Sequence, residues 1–320
     1  MTPIDRFGRH INYLRVSVTD RCNLRCVYCM PPEGVPWMPH DEIMRFEEIA
    51  EVVRVAVGMG FSHIRLTGGE PLVRPDLPEL VRQLHEIAGI EEITMTTNGI
   101  LLNSQARRLR EAGLHRLNVS LDTMDPQKFH SITRQGRLQQ VLEGIAAAEE
   151  AGFTNTKINV VLMEGVNDDE IEAFALRSMS GWNVRFIEPM PISAELQPVP
   201  NSEVKRRLEA LGPLEPAEIE GNGPARTFRL PGASGTLGFI TPLSHAFCAD
   251  CNRLRLTADG YLRPCLLSDE GVNVKQALRS GASTAQIEEL VRSAIGLKPE
   301  SHTLAQGGVH LKRTMSQIGG

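Results

Sequence analysis

Tyr13-Leu14-Arg15-Val16-Ser17-Val18-Thr19-Asp20-Arg21-Cys22-Asn23-Leu24-Arg25-Cys26-Val27-Tyr28-Cys29 is a β-rich run that breaks at a polar turn and then presents three thiols in quick succession. The run predicts a strand over 13–18, and the thiols fall in the loop that follows it. Further β-rich runs come at 63–67, 93–97, 116–121, 157–162 and 184–187. Between them, 46–59, 76–87, 104–112, 138–151 and 169–179 carry apolar residues at helical spacing. Gly60, Gly113 and Gly152 fall where helices would stop.

Strand-then-helix order, repeated, implies a parallel sheet joined by right-handed crossovers. Six units rather than eight predict an α/β fold, an incomplete (β/α)6 TIM-like barrel spanning residues 1–190. After Met190 the texture changes. Pro189, Pro191, Pro198 and Pro200 make a loop-rich junction, 215–263 reads as short strands, and helical spacing returns at 272–279 and 284–295. Residues 191–320 are therefore expected to form an α+β extension that closes the open side of the barrel.

The 320-residue chain is 41% hydrophobic and 23% charged, with a net charge of −5. That balance disfavours broad electrostatic binding to nucleic acid while leaving room for a local basic pocket. No apolar stretch approaches the roughly 20 residues of a membrane span. The first twelve residues carry charges and no apolar signal core, so a cytoplasmic location without membrane or nucleic-acid partners is expected. The six cysteines form two groups of three with none between, which suits two metal sites better than a disulfide framework.

Cys22, Cys26 and Cys29 follow the first strand, at the end of a parallel barrel where active sites are built. Three thiolates on one short loop can hold three irons of a 4Fe–4S cube and leave the fourth open. Structural zinc wants a fourth ligand, and only the poorly placed His10 and His40 are near in sequence. The x3–x2 spacing, with Tyr28 before the last cysteine, resembles the signature of the radical S-adenosylmethionine (SAM) superfamily. That resemblance implies SAM bound at the open iron and reductively cleaved to a 5′-deoxyadenosyl radical. Gly68-Gly69-Glu70-Pro71 resembles the loop that receives the methionyl amino group. Tyr28, Gly69, Ser120 and Met190 match the family's cofactor contacts.

Cys248-x2-Cys251-x13-Cys265 again offers three ligands, with zinc completed by His245 as the alternative. Arg253 and Arg255 share one face of the next predicted strand, and two guanidiniums beside a metal suggest an anionic ligand. The chain resembles the GTP 3′,8-cyclase family of molybdenum cofactor biosynthesis from Phe7-Gly8-Arg9 to its final residues. Arg185-Phe186-Ile187-Glu188-Pro189-Met190 and Met315-Ser316-Gln317-Ile318-Gly319-Gly320 are part of the match.

This second resemblance implies two 4Fe–4S clusters, the second binding the guanine of GTP. It implies abstraction of the ribose 3′ hydrogen and attack of that carbon on C8, giving 3′,8-cyclo-7,8-dihydro-GTP. Substrate contacts would be Arg15, Arg65, Thr96, Lys157, Arg185, Arg253 and Arg255. The Gly319-Gly320 tail would reach into the active site and take part in catalysis. An external electron donor, product transfer to a cyclic pyranopterin monophosphate synthase and a homodimer are implied as well. Two alternatives remain open: another radical SAM enzyme with an auxiliary cluster, such as a peptide-modifying maturase, or a zinc-stabilised binding module without catalysis.

Overall fold

Short apolar–polar alternations give short strands, and here they assemble in sequence order. A computed structural model of the chain describes residues 2–190, 196–302 and 313–319. Strands β1 (Tyr13–Ser17), β2 (His63–Thr67), β3 (Glu92–Thr97), β4 (Arg116–Ser120), β5 (Lys157–Val161) and β6 (Asn183–Ile187) lie side by side, all parallel. Helices α1 (Phe46–Gly58), α2 (Leu77–His85), α3 (Leu102–Glu111), α4 (Pro126–Thr133), α5 (Leu138–Glu150) and α6 (Ile171–Leu176) fill the crossovers. The glycines expected to stop helices do so in left-handed conformation.

Two differences from the expected elements have local causes. Helix α4 is only eight residues long, too short for a clear period, yet it is well capped. The Asp125 carboxylate accepts from the amides of Gln127 and Lys128, and Pro126 opens the first turn. The stretch expected as one helix over 169–179 is an α-helical core with 3₁₀ turns at both ends.

The later segment supplies α7 (Asn201–Glu209), β7 (Glu215–Pro216), β8 (Arg226–Arg229), β9 (Thr236–Ile240), β10 (Arg253–Leu256), β11 (Tyr261–Arg263) and β12 (Val272–Asn273). It also supplies α8 (Val274–Arg279), α9 (Thr284–Gly296) and α10 (Met315–Ile318). Its strands extend both edges of one sheet, in the order β12-β11-β10-β1-β2-β3-β4-β5-β6-β9-β8-β7. Strand β10 runs parallel to β1 and β9 parallel to β6, so β1–β6 gain a neighbour on each side. Pro191 of the junction lies outside the described residues.

Parallel strands covered by helices on both faces are apolar throughout. These are not. Leu14, Val16, Ile64, Leu66, Ile93, Met95, Leu117, Val119, Ile158, Val160, Val184 and Phe186 belong to the hydrophobic core. The alternate positions, on the opposite face, include Arg15, Arg65, Thr94, Asn118, Lys157, Asn159 and Arg185, with Arg255 in β10. Arg65, Lys157, Arg185 and Arg255 are nevertheless buried. Charged side chains buried on one face of a sheet imply an enclosed polar chamber rather than a second core.

The extension is clamped to the first helix by one carboxylate. Glu48 in α1 pairs with Arg279 at the end of α8 (2.8 Å) and with the neighbouring Arg45. Burial opposes its charge, but Arg279 and Arg45 together hold its carboxyl down at about 2. Because the folded value lies below the unfolded one, this stability is present above pH about 4.5 and is lost as pH falls toward 2. Glu48→Gln is expected to cost about 2 kcal/mol at pH 7 in denaturant unfolding, with the penalty shrinking on acidification. A penalty independent of pH would contradict this.

Candidate active site

The two cysteine groups lie at opposite ends of the sheet. Cys22, Cys26 and Cys29 follow β1, at the carboxyl ends of the parallel strands. Cys248 and Cys251 precede β10, and Cys265 follows β11, which is antiparallel to β10. Since β1 and β10 are parallel neighbours, the second group sits at the amino ends. The five residues of β1 separate the ends by about 16 Å.

The first loop is seated by backbone contact. The amides of Gly69 and Glu70 donate to the carbonyls of Thr19 and Arg21, both at 2.8 Å. A Cβ on Gly69 would lie 2.4 Å from the Arg21 carbonyl oxygen, and one on Gly68 would lie 2.8 Å from that of Thr19. The glycine pair is thus required by the approach of the cysteine loop itself. Glu70 is fully buried and accepts from Leu72 N, Thr97 Oγ1 (2.7 Å) and Asn98 N (2.6 Å). Its burial raises the carboxyl to about 7 despite those bonds. Asn98 in turn donates to Asn23 Oδ1 (2.7 Å) and faces Cys22 Sγ at 3.9 Å. Glu70 therefore braces the ends of β2 and β3 against the cysteine loop.

Tyr28 donates its hydroxyl to Asp122 at 2.7 Å, and Asp122 also accepts from Val161 N. A small cavity there is lined by Cys26, Tyr28, Asn98, Ser120 and Asp122, which brings two of the expected cofactor residues to one of the thiols. Met190 follows β6 at the same end of the sheet but makes no hydrogen bond to this group. None of the six cysteines is in a disulfide. Burial raises Cys22 to about 11 and Cys29 to about 12, and burial, Asp122 and the other two thiols push Cys26 well up too. Three buried thiols that repel one another as thiolates call for cationic compensation, which bound iron supplies. Among the described residues no three His, Cys, Asp or Glu side chains gather as ligands of a single ion would. A cube holds its thiolates at separate corners, so the donor set fits a cluster.

The second group has its own cations. Burial would raise Cys251, but Arg253 and Lys298 draw it down to about 7. Their nitrogens lie 3.6 and 3.7 Å from its sulfur. Lys298, only 2% exposed, also donates to the carbonyls of Arg253 (2.7 Å) and Pro264 (3.0 Å), joining the two cysteine-bearing segments. Arg9 donates to the carbonyls of Cys248, Pro299 and Glu300 and pairs with Asp5. Neither Arg9 nor Lys298 was singled out by motif. Arg9 lay in a recognisable run without an assigned role, and Lys298 follows α9 with no pattern around it.

Between the two ends runs the basic face. Arg255, Arg15 and Arg65 are direct neighbours in register across β10, β1 and β2. Thr96, Asn118 and Lys157 form a second row across β3, β4 and β5. Burial, then Arg185, Arg116 and Arg65, push Lys157 down to about 6. Burial, then Arg65 and Arg116, lower Arg185 to about 9. Buried atoms on this face, Tyr13 Oη, Asn118 Nδ2 and Asn159 Oδ1, have no hydrogen-bond partner among the described residues. Such a face is prepared for a polyanion with further polar groups. Gly319 joins it: its carbonyl accepts from Arg255 at 2.9 Å, and a Cβ there would lie 2.8 Å from Ser17 Cβ and Thr67 Oγ1. The Ser316 amide of α10 faces Cys29. Gly320 lies outside the described residues.

Comparison with known proteins agrees with this layout. The profile of the radical SAM superfamily matches residues 16–177, and that of Molybdenum Cofactor Synthesis C matches 182–304. A GTP 3′,8-cyclase of Moorella thermoacetica is 52% identical over 99% of both chains. Another, of Pelotomaculum thermopropionicum, is also 52% identical at 99% coverage of each. The chain belongs to the GTP 3′,8-cyclase family of the radical SAM superfamily. In fold it resembles Streptococcus suis SuiB in its SAM-bound crystal structure, with a TM-score of 0.60 at 17% identity, covering 83% of this chain and 64% of SuiB. No helix among the described residues is long and apolar enough to cross a membrane.

Members of this superfamily carry a SAM-cleaving 4Fe–4S cluster, so the seating of the first loop has a direct readout. Gly69→Ala is expected to force the Thr19–Arg21 backbone away at a cost of about 1–3 kcal/mol. Reconstituted iron should fall by about four per chain, with the second group still loaded. An alanine variant that retains full iron content and stability would contradict the seating role.

Proposed function

We propose that this chain is a GTP 3′,8-cyclase that converts GTP to (8S)-3′,8-cyclo-7,8-dihydroguanosine 5′-triphosphate in molybdenum cofactor biosynthesis. The observation that carries this reading is one buried cationic face with a three-thiol group at each end. Cys22, Cys26 and Cys29 would hold the first cluster, which when bound supplies reductive cleavage of SAM. Cys248, Cys251 and Cys265 would hold the second.

Each protein group then has a defined task. Gly69 keeps the first loop seated, while Tyr28, Ser120 and Met190 border the SAM position. Arg65, Thr96, Lys157 and Arg185 take the triphosphate, and Arg15, Arg253 and Arg255 take the ribose and base toward the second group. The Arg255–Gly319 contact holds the tail at the chamber, where Gly319 would confine the reacting ribose. A closed, polar chamber excludes competing hydrogen donors from the reacting sugar.

The incomplete (β/α)6 barrel belongs to the same reading. In a flat sheet, β2 and β6 would stand about 19 Å apart. Yet Arg65 and Arg185, from those two strands, act on each other's charge, which supports curling of the sheet around its polar face. The division at residue 190 falls just beyond the junction of the two matched family segments. A cytoplasmic homodimer, an external electron donor and product transfer to a cyclic pyranopterin monophosphate synthase complete the proposal.

Anaerobic incubation with GTP, SAM and a strong reductant tests it. The expected products are the cyclised nucleotide and 5′-deoxyadenosine together. Cys251→Ala should lower cyclisation about 100-fold while SAM cleavage persists uncoupled, since it misplaces the substrate and spares the first group. Removing Gly319 and Gly320 should abolish cyclisation with iron content unchanged. Cleavage of SAM with no change to GTP in the wild type, or full cyclisation without the tail, would contradict the reading.

A further inference from the structure

The segment between β7 and β8 crosses beneath the cationic face. Arg116 and Lys157, the first residues of β4 and β5, both donate to the carbonyl of Glu220. Gly221 has φ +131, and a Cβ there would lie 2.7 and 2.9 Å from the Arg116 guanidinium nitrogens and 2.9 Å from Lys157 Nζ. A Cβ on Gly223 would lie 3.7 Å from the Arg185 guanidinium. The loop is fastened to the far side of the sheet as well. Asn222 donates to Asn12 Oδ1, just before β1, and accepts from Asn252, which follows Cys251. Asn252 also donates to Asn12, at 2.9 Å.

One short loop thus touches three cations of the chamber and the segment carrying the second cysteine group. A cavity of about 760 Å³ adjoins the loop, lined by Glu92, His115, Arg116, Glu220, Gly221 and Asn222. The loop and Arg116 thus border both the cationic face and a space large enough for further phosphate groups. Arg116 also pairs with Glu92, whereas Lys157 donates to this one carbonyl, which is weak compensation for a buried ammonium, so Lys157 keeps capacity for phosphate oxygens.

We propose that Glu220–Gly223 is the floor of the polyphosphate subsite and sets the number of phosphates accepted, with Gly221 letting the loop backbone close against Arg116 and Lys157 beneath the terminal phosphate. This rests on the GTP reading and deepens it. A fourth phosphate would have to pass through the floor, which the asparagine triangle holds shut. A side chain at position 221 would push Arg116 and Lys157 off the terminal phosphate while leaving the guanosine end untouched.

Equilibrium binding of guanosine, GDP, GTP and guanosine 5′-tetraphosphate to the anaerobic protein with both clusters loaded tests the floor. Wild-type affinity should rise from guanosine to GTP and fall for the tetraphosphate. Gly221→Ala should weaken GTP about tenfold or more with guanosine unchanged. Asn222→Ala, which loosens the floor without filling it, should remove the penalty against the tetraphosphate. Tight GTP binding with indifference to the fourth phosphate would overturn the floor alone, as would variants that weaken all four ligands equally. A wild type that favours no guanine nucleotide would overturn both the floor and the GTP reading.

Discussion

Arg65, Lys157, Arg185 and Arg255 are buried on one face of a β-sheet, where much of their charged surroundings is other cations. Burial and mutual repulsion oppose the charge of Lys157, Arg185 and Arg255, and Lys157 is driven to about 6 as a result. Such a row persists in a fold only when the apolar face behind it is strong enough to hold the strands in place. Here the core under the helices does that, with Leu14, Ile64, Ile93, Leu117, Ile158 and Val184 all inaccessible or nearly so. The strain in the row is the binding capacity of the protein: a polyanion relieves it.

The rest of the architecture serves that row. The first thiol group is held at the carboxyl ends by the Gly68–Gly69 approach and by Glu70, and the second at the amino ends by Arg9 and Lys298. The two groups differ in electrostatics. The first thiols are raised by burial, whereas Cys251 is drawn down by adjacent cations. One set of thiols sits beside carboxylates and the other beside guanidinium and ammonium groups, so the two groups offer different surroundings to whatever they hold.

Much of this was legible in the sequence. All six central strands could be read because the polar–apolar alternation that builds the chamber also marks the strands. The cysteine groups announced themselves by spacing and Arg253 and Arg255 by their place beside the second group, whereas the other basic residues were expected only from the family resemblance. Other features were hidden because they depend on contacts between distant segments. Lys298 has no motif, and its role exists only because Pro264 and Cys251 are brought to it. Short, polar α4 and α7 show little periodicity. The Glu220–Gly223 loop reads as an ordinary glycine-containing turn until Arg116, Lys157 and Asn252 are placed around it. The glycines at 68 and 69 were expected to admit the cofactor, and their close contacts are with the cysteine loop itself.

The central claim is that one chamber has a cluster at each end of its strands. Pulsed electron paramagnetic resonance on the anaerobically reconstituted, reduced protein measures it through the coupling of the two spin systems. The strand lengths predict two distinct clusters about 15–20 Å apart. A single cluster, or two within about 10 Å of each other, would contradict the account.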